Sequence, residues 1–277
     1  MSEPGIPLAG VIGTPIAHSR SPKIHQHWLK TRGIAGHYIP MNVAADDLEV
    51  VLRTLPKAGF VGVNVTIPHK EKVLQIADLV TDRATLIGAA NTLIFRKDGK
   101  IHADNTDGYG FIKNLQSAPC GWDARSGPTA VFGAGGASRA VIASLLDAGV
   151  PEILLSNRTR VRADALAQEF GKRVHVFDWV QAGNMLDHAA TVVNTTSLGM
   201  VGNPPLRVPL DGLQKGAVVT DLVYAPLQTK LLEVASQMGC HTVDGLGMLL
   251  HQAVPGFERW FGERPEVDSA TRAAALR

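Results

Sequence analysis

The segment TAVFGAGGASRAVIASLLDAG, residues 129–149, indicates the fold of the second half of the chain. An apolar run that suits a buried strand leads into a glycine-rich turn, and an amphipathic helix follows. Gly133 allows the tight turn and Gly135 lets the backbone approach a diphosphate, which the free N–H groups at the helix start would bind. Ser138 occupies the third glycine position, so the fingerprint is imperfect, and a plain strand–helix turn is the alternative interpretation.

The next predicted strand ends in ILLSNRTRVR, residues 153–162, and carries no acidic residue. An NAD site usually has Asp or Glu here, which accepts a hydrogen bond from the ribose 2′-hydroxyl. Arg158, Arg160 and Arg162 stand there instead, and guanidinium groups suit a phosphate dianion. We therefore infer NADP, with Arg158 as the main contact to the 2′-phosphate. A solvated basic helix start is the alternative, but cations at a helix N-terminus oppose the helix dipole.

Strand-like and helix-like patterns alternate along the chain, which predicts an α/β fold with parallel sheets covered by helices. The length of 277 residues suggests two domains, at a prior of roughly 150 residues each. Among the individual elements, we expect a helix with Ser21 as its N-cap, a helix over residues 69–80, and a hairpin within residues 89–107. The tail, residues 272–277, is expected to be solvated.

The composition excludes several classes of protein. A formal net charge of +2 is too small to suggest a nucleic-acid partner. Cys120 and Cys240 lie far apart, in no disulfide framework or metal-ligand spacing, which fits a reducing compartment. The stretch MSEPGIPLAG lacks the features of a signal peptide, and no run reaches the ~20 apolar residues of a membrane span. His18, His25 and His27 lack the spacing of a zinc pair. We expect a cytoplasmic protein with no metal site.

Two predicted strand ends carry a lysine and an acid. In GVNVTIPHK, residues 62–70, Pro68 ends the strand pattern because proline has no N–H for the ladder, and Lys70 follows. In HADNTDG, residues 102–108, Asp107 stands at a second polar strand end. Ligands of open α/β sheets bind at the carboxyl ends of the strands, where these two residues are expected to meet. A lysine and a carboxylate can together take the hydroxyl proton of an alcohol that loses a hydride.

The loop GTPIAHSRSP, residues 13–22, adds two hydroxyl groups at a strand–helix junction. Ser19 and Ser21, with the free N–H groups of the helix start, suit a carboxylate. Simple N-capping is the alternative for Ser21.

Nine motifs of the chain appear in the order seen in shikimate dehydrogenases. They are GTPIAHSRSPKIH, NVTIPHK, GAANTL, DNTDG, GAGGASRA, NRT, NTTSLGM, DLVYAPLQT and GLGMLLHQA. The resemblance runs from about Leu8 to Phe261, and the motifs together are highly specific. It implies an enzyme of aromatic amino-acid biosynthesis that reversibly reduces 3-dehydroshikimate to shikimate with NADPH.

The resemblance also implies the architecture and the site. An N-terminal three-layer α/β substrate domain, residues 1–107 and 246–277, would adjoin a Rossmann-like doubly wound NADP-binding domain, residues 108–245, with a cleft between them. Lys70 and Asp107 resemble the catalytic pair, with Lys70 as the acid/base group. The other substrate-binding residues that it implies are Ser19 and Ser21 for the carboxylate, Tyr224 near it, Thr66, Asn91 and Gln252 for the ring hydroxyls, and Asn64 in the same pocket. The cofactor-binding residues are Gly133, Ala134, Gly135, Gly136 and Ala137 at the diphosphate, Asn157, Arg158, Thr159 and Arg162 at the 2′-phosphate, and Leu222, Gly245, Met248 and Asp82 at the nicotinamide.

Two other functions stay open. One is a quinate/shikimate dehydrogenase of broader specificity, since a single extra ring hydroxyl is accepted or rejected only through specific contacts. The other is a non-catalytic NADP-binding sensor. It would keep Gly133, Gly135 and Arg158, and it could dispense with Lys70 and Asp107. A small-molecule substrate is expected as the partner, and a homodimer is possible.

Overall fold

The computed structural model describes residues 5–277, which form an α/β fold built on two six-stranded sheets. The chain divides into two compact units, one comprising the chain through Asp107 together with Leu249–Arg277, and the other comprising Gly108–Met248. The predicted α/β class is confirmed. The assignment of substrate binding to the first unit and of NADP binding to the second stays a prediction.

The strands are β1 (Leu8–Gly13), β2 (His37–Asn42), β3 (Phe60–Val65), β4 (Leu79–Val80), β5 (Thr92–Phe95), β6 (Ile101–Asp104), β7 (Thr129–Phe132), β8 (Ile153–Ser156), β9 (Val174–Phe177), β10 (Thr191–Asn194), β11 (Val218–Asp221) and β12 (His241–Val243). The helices are α1 (Ser21–Thr31), α2 (Leu48–Thr54), α3 (Val73–Ile76), α4 (Asp82–Ile87), α5 (Asp107–Ser117), α6 (Gly136–Ala148), α7 (Arg160–Phe170), α8 (Lys230–Gln237), α9 (Leu246–Phe261) and α10 (Ser269–Leu276). Two 3₁₀ segments, Leu55–Ala58 and Trp179–His188, complete the elements.

The sheet of the first unit has the order β2-β1-β3-β5-β6-β4. Strand β1 pairs in parallel with β2 and β3, whereas β5 is antiparallel to both of its neighbours, β3 and β6. The antiparallel pair β5–β6 is the hairpin that the sequence predicts. Because of this reversal, the end of β6 lies beside the start of β5, so that Asp104 pairs with Thr92. The register therefore brings the segment after β6 close to the segment before β5.

The sheet of the second unit is parallel throughout, in the order β12-β11-β10-β7-β8-β9. Counted from its first strand, β7, this is the doubly wound order that binds dinucleotides where the strand order reverses. The reversal occurs at β7, which has β8 on one side and β10 on the other. The glycine turn follows β7 directly, so the fold places it at the position where such sheets bind ligands.

Both faces of the second sheet are buried. Val131 packs into the apolar cluster that contains α6 residues such as Val141, whereas its neighbours Ala130 and Phe132 pack into a cluster on the other side. Successive side chains of a strand point to opposite faces, and a parallel sheet is covered on both of them. This explains why TAVF has no polar alternation. In the first unit, one cluster of buried residues, including Ile12, joins the sheet to its helices.

The helix predicted over residues 69–80 is wrong in extent. Only Val73–Ile76 is α-helical, and Leu79–Val80 forms β4, which pairs with β6. Asp78 contributes to this exchange, because its carboxylate accepts a hydrogen bond from the Ile101 N–H at 2.7 Å. Hydrogen bonds to β6 therefore stabilise Leu79–Val80 as a strand, although the local sequence pattern favours a helix.

Two further expectations are corrected at the α1–α10 contact. The N-cap of α1 is Arg20 and not Ser21, which lies inside the first turn with a buried side chain. The tail is not solvated along its length, since it forms most of α10, in which Thr271 and Ala275 are buried. Thr271 Oγ1 accepts a hydrogen bond from Trp28 Nε1 at 3.0 Å. The small residues of α10 allow it to pack against α1, and charge alone did not indicate this.

Over residues 5–277, none of the helices combines the length and the apolar character that crossing a bilayer requires.

Candidate active site

Lys70 and Asp107 form an ion pair in the first unit. The Lys70 ammonium donates to Asp107 Oδ2 at 2.6 Å, and the two side chains remain partly accessible. The backbone of Lys70 is fixed as well, because its carbonyl accepts a hydrogen bond from the Ala90 N–H at 2.8 Å. The two residues are 37 positions apart, and the register of β3, β5 and β6 brings them together. The meeting of an amine and a carboxylate at two strand ends is therefore present, and their catalytic roles stay predictions.

Asn91 connects this ion pair to the rest of the site. Its amide group donates to Asp107 Oδ1 at 2.8 Å and to Gln252 Oε1 at 3.0 Å. Its side-chain oxygen accepts from the Thr106 N–H at 2.8 Å and from the Thr92 hydroxyl at 2.9 Å. Asn91 is 3% exposed, so these protein groups take the place of water around it. The amide thus orients the Asp107 carboxylate and leaves its other oxygen for Lys70.

Gln252 comes from α9, far along the chain, and is tied to the same cluster. The Thr106 hydroxyl donates to the Gln252 carbonyl at 2.9 Å, and Gln252 Nε2 donates to the Leu249 carbonyl at 3.0 Å. The predicted substrate residues Lys70, Asn91, Asp107 and Gln252 are therefore brought together in the first unit.

Asn64 lies behind Asn91, on β3. Its amide group donates to the Asn91 carbonyl at 3.0 Å and to Thr92 Oγ1 at 3.2 Å. Its oxygen accepts from the Tyr38 hydroxyl at 2.6 Å. Sequence reasoning did not select Tyr38 or Thr92. Tyrosine and threonine are common in strands, so neither position offered a local signal of function.

The two serines lie at the start of α1. The Ser21 N–H donates to Ser19 Oγ at 3.4 Å, and the Ser21 side chain lies beside the Tyr38 hydroxyl. Thr66 follows β3, and its N–H donates to the Ile12 carbonyl at 2.9 Å, which places it beside β1. A Cβ atom on Gly13 would lie 2.5 Å from the Thr66 methyl group, so only glycine permits this approach. These three predicted residues therefore follow two neighbouring strands.

Asp104 is the last residue of β6 and the first residue of the DNTD motif, which ends in Asp107. Its carboxylate is fully buried and accepts hydrogen bonds from Arg83 Nε and from Arg259 Nη1, each at 2.6 Å. Burial alone would raise the pKa of Asp104, but the bonds from these two arginines hold that pKa well below its usual value. Asp104 Oδ1 also accepts from the Asn105 N–H at 2.8 Å. A buried charge so paired orients the backbone that leads to Asp107.

In the second unit, the glycine turn has the shape that its sequence predicts. Gly133 has a φ of 110°, a left-handed conformation that side chains disfavour, and an added Cβ would lie 2.5 Å from Thr195 Oγ1. Added Cβ atoms on Gly135 and Gly136 would meet nothing within 4 Å, so the space over the turn is open. Ser138 explains the imperfect fingerprint, because its buried hydroxyl donates to the Gly133 carbonyl at 2.6 Å. The Ser138 side chain therefore connects the glycine turn to α6 by a hydrogen bond.

Asn157 joins the turn to the arginine segment. Its side-chain oxygen accepts from the Ala134 N–H at 3.2 Å, and its amide donates to the Thr159 carbonyl at 2.8 Å. Arg160, the middle arginine, is engaged by two acids, Asp178 at 2.6 Å and Asp164 at 3.5 Å.

Arg158 and Arg162 differ from Arg160. Both are exposed, and within residues 5–277 neither forms an ion pair. Helix α6 presents the N–H groups of its first turn beside the open glycines, and two arginines without acidic partners stand after β8. A diphosphate and a 2′-phosphate need donors of these kinds, so the residues fit NADP.

The other predicted nicotinamide residues divide between the two units. A Cβ on Gly245 would lie 2.4 Å from the Leu222 carbonyl oxygen, so these two positions touch, and Met248 packs on the same apolar cluster as Leu222. Tyr224, which is predicted to lie near the substrate carboxylate, belongs to the second unit. Asp82, which is predicted at the nicotinamide, is exposed at the start of α4 in the first unit. Ala137 follows Gly136 in the first turn of α6.

The residue before Leu222 is a buried acid that the sequence did not single out. Asp221 accepts from Thr229 Oγ1 at 2.7 Å and from Asn194 Nδ2 at 2.9 Å, and burial raises the pKa of its carboxyl.

Comparison with known proteins identifies the family. The Shikimate dehydrogenase substrate binding domain matches residues 11–93, the Shikimate / quinate 5-dehydrogenase family matches residues 122–200, and the Shikimate 5′-dehydrogenase C-terminal domain matches residues 245–275. A Ruegeria sp. (strain TM1040) protein named shikimate dehydrogenase (NADP(+)) is 68% identical over 276 residues, which cover 100% of both chains.

Two solved structures extend the comparison. The shikimate 5-dehydrogenase from Thermus thermophilus, in complex with NADP(H) and shikimate, has a TM-score of 0.86 at 35% identity, over 97% of this chain and 98% of that chain. The quinate dehydrogenase from Corynebacterium glutamicum, in complex with NAD, has a TM-score of 0.90 at 32% identity, over 97% of this chain and 98% of that chain. The resemblance that the motifs indicated is confirmed, and the chain belongs to the shikimate dehydrogenase family.

Proposed function

We propose that the protein is an NADP-dependent shikimate dehydrogenase, which reversibly reduces 3-dehydroshikimate to shikimate. The observation that carries the proposal is the 2.6 Å ion pair of Lys70 and Asp107, oriented by the buried amide of Asn91. A relative 68% identical over its whole length bears this name, which supports the same activity here.

The ion pair handles the proton of the reaction. When shikimate is oxidised, its hydroxyl proton passes to the Lys70–Asp107 pair as a hydride leaves the same carbon atom. In the reverse direction the pair returns the proton to the carbonyl oxygen. The two groups share one hydrogen bond at 2.6 Å, so the transferred proton is assigned to the pair in this proposal. NADP, when bound, supplies the chemistry of accepting or donating that hydride.

The remaining polar residues of the first unit bind and orient the substrate in this proposal. Ser19 and Ser21 hold the carboxylate, and Thr66, Asn91 and Gln252 contact the ring hydroxyls, with Asn64 behind them. Their hydrogen bonds to one another and to the backbone limit their motion, which favours a reactive orientation of the bound alcohol. Tyr224 is assigned to the carboxylate end by the family resemblance.

Residues of the second unit bind NADP in this proposal. The turn Gly133–Ala137 takes the diphosphate, Arg158 and Arg162 the 2′-phosphate, and Asn157 and Thr159 complete that site. Leu222, Gly245 and Met248 border the nicotinamide, and Asp82 is assigned there by resemblance. The absence of an acid after β8 favours NADP over NAD.

A matrix of rates tests the proposal. Purified enzyme is given shikimate or quinate with NADP or NAD, and growth of the reduced-nicotinamide absorbance is followed. The highest kcat/KM is expected for shikimate with NADP. Quinate oxidation at a comparable rate would favour the broader enzyme, which the fold match to a quinate dehydrogenase supports as the second candidate. If the absorbance grows with none of the substrate–cofactor pairs, although NADP binds tightly, both enzyme functions would be contradicted and a sensor favoured.

A cytoplasmic location and a homodimer complete the proposal. Cys120 and Cys240 are both unpaired, which suits a reducing compartment. The homodimer rests on the expectation from the sequence, and light scattering of the purified protein checks it.

A further inference from the structure

We propose that Tyr38 is a positioning residue for shikimate, whose buried hydroxyl fixes both Ser21 at the carboxylate and Asn64 behind the ring hydroxyls. The inference rests on the proposed function, because it concerns the same substrate site.

The Tyr38 hydroxyl lies between two residues that come from different parts of the sequence. Tyr38 is on β2 and is 0% exposed. Its hydroxyl donates to Asn64 Oδ1 at 2.6 Å, so its single proton is committed there, and the Ser21 side chain lies beside its oxygen. Both neighbours are nearly buried as well, at 6% for Ser21 and 5% for Asn64. Such burial leaves little room for water to replace the phenol oxygen.

The contact is part of one directed chain of hydrogen bonds that ends at the catalytic pair. From Tyr38 it runs through Asn64 Nδ2 to Thr92 Oγ1 at 3.2 Å, and from the Thr92 hydroxyl to Asn91 Oδ1 at 2.9 Å. Asn91 Nδ2 then donates to Asp107 Oδ1 at 2.8 Å. Every donor in this chain points towards the Asp107 carboxylate, and aligned hydrogen bonds polarise one another. Tyr38 thereby connects the carboxylate clamp to the proton-transfer pair.

The ring of Tyr38 is held independently of its hydroxyl. It stacks on the His25 ring with centroids 3.9 Å apart and planes inclined by 1°, and it lies 6.1 Å from Trp260. A phenylalanine at this position keeps the ring and these packing contacts. Tyr38→Phe therefore removes one oxygen, leaves Asn64 Oδ1 without its donor, and takes away the polar neighbour of Ser21.

Thr271→Val is the matched control. It deletes a buried hydroxyl that accepts from Trp28 Nε1 in the same aromatic cluster, and Trp28 lies 5.6 Å from His25. The hydrogen bonds of Thr271 lead to Trp28, Glu266 and Asp268, away from the chain that joins Tyr38 to Asp107.

The test uses the full-length enzyme and two kinds of measurement. Shikimate binding without NADP is measured by calorimetry, and kcat, KM and the melting temperature are measured for each variant. Tyr38→Phe is expected to weaken shikimate binding on the order of 10-fold, because the buried Asn64 oxygen loses its donor. The KM for shikimate should rise in parallel, with little change in kcat and in NADP binding. Thr271→Val should lower the melting temperature and leave shikimate affinity as in the wild type.

A double-mutant cycle shows whether Tyr38 acts through the serine. In the Ser21→Ala background, Tyr38→Phe should cost less than in the wild type. Unchanged or tighter shikimate binding by Tyr38→Phe, or an equal loss in Thr271→Val, would overturn the role of Tyr38. A wild-type enzyme that neither binds nor oxidises shikimate would instead overturn the proposed function itself.

Discussion

Asp107 divides its two carboxylate oxygens between two partners, Lys70 at 2.6 Å and Asn91 at 2.8 Å. The amide orients the carboxylate without adding charge, and the proposed mechanism assigns the ammonium to the substrate alcohol. An acid and a base that share one hydrogen bond can exchange a proton with an alcohol while the charge of the pair changes by only one unit. Replacing Lys70 is therefore expected to affect the proton transfer and not the binding of NADP.

Lys70→Ala should lower turnover on the order of 10²–10⁴-fold, because the alcohol loses the group that exchanges its proton. NADP binding should stay nearly unchanged, since the residues assigned to it lie elsewhere in the chain. Steady-state rates with shikimate and NADP, with NADP titration by fluorescence, measure both quantities. Lys72→Ala is the matched control, because Lys72 is exposed and its ammonium donates to the Ala45 carbonyl, at 2.7 Å. Activity of Lys70→Ala close to that of Lys72→Ala would remove Lys70 from its assigned role.

Arg158→Ala should raise the KM for NADP on the order of 10-fold and leave the KM for NAD almost unchanged. A guanidinium without an acidic partner is available to the 2′-phosphate, which NAD lacks. Arg160→Ala is the control, because Arg160 is engaged by Asp178 and Asp164. The KM values of both variants for the two cofactors decide the matter, and equal effects of the two substitutions would contradict the distinction between these arginines.

Asn157→Ala should raise the KM for NADP and for NAD together, each by about 3- to 10-fold. The side chain ties the Ala134 N–H of the glycine turn to the Thr159 carbonyl, so its loss loosens the turn that both cofactors need. The ratio of the two KM values is the informative measurement, because it separates this effect from that of Arg158→Ala. A change confined to NADP would show that Asn157 acts at the 2′-phosphate alone.

His25 should make the protein lose stability in mild acid. Its ring is fully buried, both ring nitrogens lack a hydrogen-bond partner among the described residues, and burial lowers its pKa from 6.5 to about 3. Below pH 6.5 the unfolded chain takes up a proton that the folded protein refuses, so the free energy of unfolding falls by up to about 1.4 kcal/mol per pH unit. This loss continues until the pH reaches the folded pKa.

His25→Leu removes that titration. Between pH 6.5 and pH 5, the free energy of unfolding of the wild type should fall by about 2 kcal/mol more than that of the variant. Urea unfolding at several pH values measures the difference, and His37→Gln, at an exposed position on β2, serves as the control. If the free energy of unfolding falls equally with pH in the wild type and in His25→Leu, His25 does not cause this pH dependence.

Much of the architecture could be predicted because its signals are local. The apolar run before Gly133 and the amphipathic pattern after it predicted β7 and α6, and the pattern of residues 89–107 predicted the β5–β6 hairpin. The prediction failed where a distant element decided the outcome. Leu79–Val80 became a strand because β6 was available to pair with it, and α10 formed because α1 offered a surface for its small residues.

By itself, the sequence determined the strand–turn–helix unit of β7 and α6, the β5–β6 hairpin, and the absence of an acid where NAD-binding sheets carry one. These features depend on neighbouring residues, whose spacing and backbone preferences are read directly along the chain. Only the tertiary structure decided which polar groups meet, as when Asn91 donates to Gln252 from 161 positions away and Tyr38 donates to Asn64 across β1. A hydrogen bond needs two atoms within about 3 Å. Strand register and helix packing set such distances, and no local pattern encodes them.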